Sequence, residues 1–300
     1  GGCAGTSNVL AGQLFGIPVS GTHAHGWVMA FDDEIDAFDA YAAALPDNCI
    51  FLVDTYDTLE GIDNAIRAGH RLRERGHEMA GIRLDSGDLS ELSKTARRML
   101  DAAGFPEAKI AASSSLDEKV VAELKREGAP IVLWGVGTRL TTAQPDAALD
   151  GVYKLAAIRN DAGQWSYRMK LSDTPGKLTR PGVHQVRRFL EDGLPVADLL
   201  FDAAAANTAW AGTHGEHCHA FEPDAPHIDL LVPAVRAGAP AGAAPPLADV
   251  RAHAREQFAC FAARSDYPAL IDRYLEESTH ALRDWLAHRG ERAVEPANEA

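Results

Sequence analysis

At 300 residues, 46% of them hydrophobic, the chain is long enough to bury an ordinary core in one large α/β domain, alone or with an appended second layer. Its 29 basic against 43 acidic residues leave a formal charge of −14, which argues against general affinity for nucleic acid yet still lets a few local amides and arginines hold a small anion. Cys3, Cys49, Cys218 and Cys260 are scattered without CxxC spacing, which gives no disulfide framework or zinc knuckle and fits a reducing cytoplasm, and no window reaches the roughly 20 apolar residues of a membrane span.

The opening GGCAGTSNVLAGQLFG reads as a glycine-rich turn running into a helix. It has the look of the middle of a structure, so a piece of a longer polypeptide is expected. Strand-like runs then alternate with amphipathic stretches. The runs are Ile17 to Ser20, Ile50 to Val53, Met79 to Leu84, Ile110 to Ser113 and Ile131 to Gly135. Helices are expected over Trp27 to Leu45, Thr58 to Arg75, Leu89 to Ala103 and Leu116 to Glu127, with Asp88 and Asp117 as N-caps and Gly76 and Gly104 just past C-termini. Such alternation means parallel strands with crossover helices, as an open sheet or a barrel, and a carboxyl-end face that binds ligands.

From about Gly151 the alternation stops. GVYKLAAI, GQWSYRMKLS and VHQVRRFL alternate like strands, with turns at Asn160 to Gly163 and Thr174 to Lys177. Residues 237–247, AGAPAGAAPPL, are a connector, and Ala248 to Arg289 reads as amphipathic helix. The expected division is 1–150 for the α/β portion with the site, 151–236 for a β-rich segment, and 237–300 for connector and terminal helices.

Each strand mouth is polar. GTHAH, residues 21 to 25, places His23 and His25 where imidazole can act as nucleophile or acid and base, hold a metal, or fill a core. RLDSGD brings Arg83, Asp85 and Asp88 to the end of an apolar strand, with Ser86 and Gly87 able to offer N–H groups to an anion; the plain alternative is an internal Arg–Asp pair. In GVGTR, Gly135 and Gly137 allow close backbone approach and Thr138 adds a hydroxyl, suited to phosphate. Neither a GxxxxGK[ST] loop nor a GxGxxG fingerprint occurs. Asp54, Thr55 and Asp57 could position a magnesium diphosphate or ribose hydroxyls, and Ser113 to Ser115 could meet phosphate oxygens, or both sets could simply cap helices. HGEHCH, residues 214 to 219, is rich in metal-ligand atoms but reads as a solvated loop.

Taken in order, GTSNVLAG, GTHAHGWV, LVDTYDT, GIRLDSGDL, SLDE, GVGTR and VYKL resemble the bacterial type of nicotinate phosphoribosyltransferase. That resemblance implies an irregular parallel α/β barrel of the type II phosphoribosyltransferase kind, with a smaller β-rich domain completed by C-terminal segments. It also implies synthesis of nicotinate mononucleotide from nicotinate and 5-phosphoribosyl 1-diphosphate (PRPP), coupled to ATP through a phosphohistidine, with Mg2+, in a cytoplasmic homodimer without nucleic-acid or membrane partners. Quinolinate or nicotinamide as substrate, or a PRPP-binding relic without turnover, are the alternatives.

By the same resemblance, His25 is the phosphorylated residue, and Thr22 and Arg83 contact nicotinate. Asp85 lies near the ribose and diphosphate, Thr138 holds the phosphoribosyl phosphate, and Ser86, Gly87, Ser114, Gly135 and Gly137 complete the substrate site. Magnesium travels with the diphosphate, near Asp54 and Asp85. Gly26 stands where the family usually has Ser or another polar residue, and the family does not require histidine at position 23. The family's segment before GTSN is not in this stretch, so the C-terminal portion of a longer enzyme is expected.

Overall fold

The computed structural model describes residues 3–142, 153–171, 179–205, 210–214, 217–261 and 267–287. The chain divides into one unit of Gly1–Leu155, Arg168–Thr179 and Trp285–Ala300, and another of Ala156–Tyr167 and Arg180–Asp284. The segment Arg168–Thr179, which the sequence groups with the β-rich stretch, counts with the first unit.

In the first unit the elements are α1 (Val9–Phe15), α2 (His25–Val28), α3 (Glu34–Ala44), β1 (Ile50–Leu52), α4 (Thr58–Glu74), β2 (Gly81–Leu84), α5 (Leu89–Ala102), β3 (Lys109–Ala112), α6 (Glu118–Arg126), β4 (Leu133–Trp134) and α7 (Thr138–Thr141). The four strands form one parallel sheet in the order β1-β2-β3-β4, with Ile50 beside Gly81, Arg83 beside Ala111 and Ala112 beside Trp134. Each helix returns the chain so that all four carboxyl ends share one edge. Asp57, Asp88 and Asp117 cap α4, α5 and α6 by accepting first-turn N–H groups. Gly76 and Gly104 leave helices at φ +87° and +82°, conformations that cost glycine little. Phe38, Phe51, Ile82, Leu84, Leu100 and Ile110 fill the core.

Two expectations fail here. Ile17 to Ser20 is no buried strand: it makes a single parallel bridge, with Thr6 N–H donating to Pro18 O and Ser20 N–H to Thr6 O. Pro18 has no N–H to offer a ladder, and the flanking Phe15 and Val19 are 73% and 52% exposed. The helix expected over Trp27 to Leu45 is two, because the chain turns extended at Asp33, the N-cap of α3. The Trp27 indole N–H donates to Ala37 O and ties α2 to α3.

The second unit holds β5 (Ala157–Arg159), β6 (Trp165–Tyr167), β7 (His184–Glu191), β8 (Leu194–Asp202), β9 (Trp210–His214), β10 (His217–Phe221), β11 (His227–Asp229), β12 (Val235–Arg236), β13 (Ala239–Pro240), α8 (Leu247–Phe261), β14 (Ala269–Asp272) and α9 (Arg273–Ala287) as far as Asp284. Six of these strands pair in the order β10-β9-β14-β8-β7-β11 around Phe189, Ala197, Leu199 and Leu270. The continuous helix expected from Ala248 onward is interrupted by β14, which follows Pro268 and pairs in parallel with β8; a proline biases its predecessor away from helix and cannot donate within one. HGEHCH is not a loop throughout, since His214 ends β9 and His217 to His219 lie in β10, with Gly215 and Glu216 outside the described residues. The turn expected at Thr174 to Lys177 also lies outside them. Among the described residues no helix is long and apolar enough to cross a membrane.

Candidate active site

The carboxyl ends of β1 and β2 carry a connected polar cluster. Beyond β1 the chain reaches Asp54 and Thr55, both buried, and beyond β2 it reaches Asp85 and Ser86. Asp54 Oδ2 accepts the backbone N–H of Asp85 at 3.1 Å and a short hydrogen bond from the Ser86 hydroxyl, so the two strand ends are locked together. His25 opens α2 and meets them from the side. Its Nδ1 lies 3.1 Å from Thr55 Oγ1. Its Nε2 lies 3.9 Å from Asp54 Oδ1 and 3.8 Å from Asp85 Oδ2, beyond hydrogen-bond range.

Arg83, on β2, spans the other side. Its Nε donates to Ser113 Oγ at 2.8 Å, Nη1 to Thr22 Oγ1 at 2.8 Å and Nη2 to Asp85 Oδ1 at 3.3 Å. The Ser113 hydroxyl in turn makes a short hydrogen bond to Asp85 Oδ1. These three bonds use three of the five guanidinium N–H donors and hold the plane, which leaves donors for an anion. Thr22, His25, Asp54, Arg83, Asp85, Ser86 and Ser113 are thus one connected cluster.

The other residues expected at the site follow β2, β3 and β4. Gly135 donates its N–H to Ala112 O at 2.8 Å, and a methyl placed on it would stand 3.3 Å from Ser113 Cβ. Gly137 is the N-cap of the one-turn α7, which Thr138 begins. Ser114 and Ser115, after β3, have φ of +89° and +51°, and Gly87, after β2, has +76°. For the serines this costs on the order of 1 kcal/mol or more each, a strain concentrated at functional loops.

His23 is a different kind of group. It is 8% exposed, its Nε2 accepts the Leu52 N–H at 3.1 Å and its Nδ1 faces Ala24 O at 3.4 Å. Burial pushes its imidazole down to about 4, with His25 and Arg83 acting in the same direction and the Ala24 hydrogen bond opposing.

Sequence reading missed Lys170. Buried, it donates Nζ to Asp54 O at 3.1 Å, while the next residue's N–H donates to Thr55 O at 3.1 Å. Nothing local in RMKLS signals this, because the partner lies 116 positions upstream.

Among the described residues no three His, Cys, Asp or Glu side chains are set to hold a metal ion. Asp54 Oδ1, buried and without a hydrogen bond, and Asp85 Oδ2 lie 3.9 and 3.8 Å from His25 Nε2 and are oxygen donors of the kind a hard cation takes.

The nicotinate phosphoribosyltransferase family model matches residues 2–191. The chain belongs to the nicotinate phosphoribosyltransferase family. It is 54% identical over 191 residues to a nicotinate phosphoribosyltransferase of Bacillus subtilis, covering 63% of this chain and 38% of that protein. It is 45% identical over 237 residues to one from Mycobacterium tuberculosis, covering 79% of this chain and 45% of the relative. The chain therefore spans less than half the length of these two nicotinate phosphoribosyltransferases. A solved nicotinate phosphoribosyltransferase from Porphyromonas gingivalis aligns with a TM-score of 0.45 and 27% identity over 59% of this chain and 48% of its own.

Proposed function

We propose that the protein to which this chain belongs joins nicotinate to PRPP, giving nicotinate mononucleotide and diphosphate in salvage toward NAD, and couples the reaction to ATP through His25. The observation that supports this best is the arrangement around His25: Nδ1 beside a hydroxyl at 3.1 Å and Nε2 buried, unbonded and aimed between two carboxylates.

With the Nδ1 proton donated to Thr55 Oγ1, the Nε2 lone pair is the nucleophile. It attacks the γ-phosphorus of ATP; the N–P bond forms, the P–O bond to ADP breaks, and water later cleaves N–P. Asp54 faces Nε2 and stabilises positive charge on the ring as the bond forms.

In the condensation the C1′–O bond to diphosphate breaks as the pyridine nitrogen bonds to C1′. The ring is oriented through its carboxylate by Arg83 and Thr22. Asp85 faces the ribose as positive charge develops on it. Gly135, Gly137 and Thr138 take the phosphoribosyl phosphate, with Ser86, Gly87 and Ser114 along the same rim. Asp54 and Asp85 are the carboxylates that would hold an Mg2+ arriving on the diphosphate, and it would supply neutralisation of the leaving-group charge.

The test is incubation of the intact protein with γ-labelled ATP, followed by mapping of acid-labile, base-stable phosphate, and assay of nicotinate mononucleotide with nicotinate and PRPP. Label on His25 together with product supports the reading; product without label leaves the condensation and removes the phosphohistidine.

A further inference from the structure

We propose that His23 is a positioning residue, a neutral strut that accepts the Leu52 N–H of β1 and thereby sets Thr22 and His25 on their separate partners. This rests on the function proposed for those two residues.

Among the described residues β1 pairs with β2 alone. Val53 sends its N–H to Arg83 O in β2. By strand alternation the N–H of Leu52 points the opposite way, where no strand among the described residues pairs with β1. A buried N–H left alone there would be costly. His23 Nε2 accepts it at 3.1 Å. An acceptor at Nε2 must carry its proton on Nδ1, which faces Ala24 O. The ring is held against Tyr41, edge-on with centroids 4.7 Å apart, and Phe38 at 5.8 Å. Both nitrogens and the ring faces are occupied by the fold, which leaves His23 no part in proton or phosphoryl transfer.

The consequence lies with its neighbours. One residue before, Thr22 Oγ1 accepts from Arg83 on β2; two residues after, His25 Nδ1 meets Thr55 just beyond β1. The plug at Leu52 is the fixed point between these contacts. Without it the loop from Gly21 to His25 has no bond to β1 before Thr55.

The experiment compares His23→Gln, whose amide oxygen can replace Nε2 as acceptor, with His23→Leu, which fills the space and accepts nothing. Each is prepared in the intact protein. Three readouts are taken: cooperative thermal unfolding, the rate at which diethylpyrocarbonate modifies His25, mapped by mass spectrometry, and kcat and KM for nicotinate. His23→Leu is expected to unfold cooperatively, to change the His25 modification rate several-fold, and to lower kcat by about tenfold to a hundredfold, the usual cost of a misplaced reacting group. His23→Gln is expected to restore most of both. Nitrogen NMR of the wild-type ring is expected to show the Nδ1–H tautomer. Unchanged His25 reactivity in a folded His23→Leu, or an Nε2–H tautomer, would overturn the proposal. If the wild-type protein makes no product, the proposed function fails while the modification and tautomer arms still decide the role of His23.

Discussion

Nε2 of His25 and Oδ1 of Asp54 stand 3.9 Å apart, both buried and neither hydrogen-bonded. The gap is too long for a hydrogen bond and sits at the ring nitrogen that has no hydrogen-bond partner. Asp54 cannot drift to close it, because its other oxygen is held by Ser86 and by the Asp85 N–H. Asp54→Asn keeps an acceptor for those two donors and removes the charge facing the ring. The expected result is an unaltered far-ultraviolet spectrum with His25 phosphorylation from ATP slowed by about tenfold to a thousandfold, the range of a lost electrostatic partner. Wild-type phosphorylation in Asp54→Asn would make Asp54 a structural acceptor only.

Lys170 touches the same assembly from beneath. Its ammonium and the Leu171 N–H hold the carbonyls of Asp54 and Thr55, the two residues that face the nitrogens of His25. Lys170→Met preserves the stem in its buried position and removes the donor. Leaving the Asp54 carbonyl short of that bond is expected to cost about 1–3 kcal/mol in urea unfolding and to slow His25 phosphorylation by more than the stability loss alone would. Arg71 pairs with Asp39 on the surface of the same unit, so Arg71→Met serves as the control; phosphorylation equally slow in both variants would remove Lys170 from the positioning machinery.

These two cases mark where the sequence is legible. Asp88 and Asp117 cap helices through bonds to residues two and three positions on, so the signal and its partner lie within one window. GTHAH, RLDSGD and GVGTR stand out because each ends an apolar run; the parallel sheet brings RLDSGD beside Asp54, while GTHAH reaches them from outside the sheet. Lys170 pairs across 116 positions and β14 across some seventy, where no local pattern reports the contact. The run Ile17 to Ser20 misleads for the opposite reason: its alternation is that of a strand, but a ladder needs neighbours, and among the described residues it pairs with Thr6 alone.

Gly61 shows how closely the first unit is built. It lies on the buried face of α4, where an added Cβ would fall 2.0 Å from Val53 O, the residue before Asp54. Backbone cannot yield as a flexible side chain can, so Gly61→Ala is expected to destabilise by about 3 kcal/mol or more. Gly26→Ala, where a Cβ would meet nothing within 4 Å, is expected to leave the unfolding midpoint nearly unchanged. Equal midpoints for both variants would contradict the close packing of α4 on the end of β1.

The last prediction concerns pH. His23 faces Tyr41 and Phe38 from α3, the Leu52 N–H from β1, Arg83 from β2 and, on its own loop, His25. Its folded value near 4 lies below the ordinary 6.5. Above pH 6.5 neither the folded nor the unfolded ring carries a proton, and the bond to Leu52 contributes in full. As pH falls from 6.5 toward 4 the unfolded chain binds a proton that the folded protein refuses, so stability declines; below 4 both bind it and the decline from this group ends. Between pH 8 and pH 5 the loss from His23 alone is about 2 kcal/mol. His23→Gln has no such proton to bind, and every other titrating group is common to the two proteins. Urea unfolding is therefore expected to show the stability difference between wild type and His23→Gln shifting by that amount in favour of the variant as pH drops. A difference constant from pH 8 to pH 5 would mean that the ring titrates alike in both states, and that the buried, neutral strut beside β1 does not exist in solution.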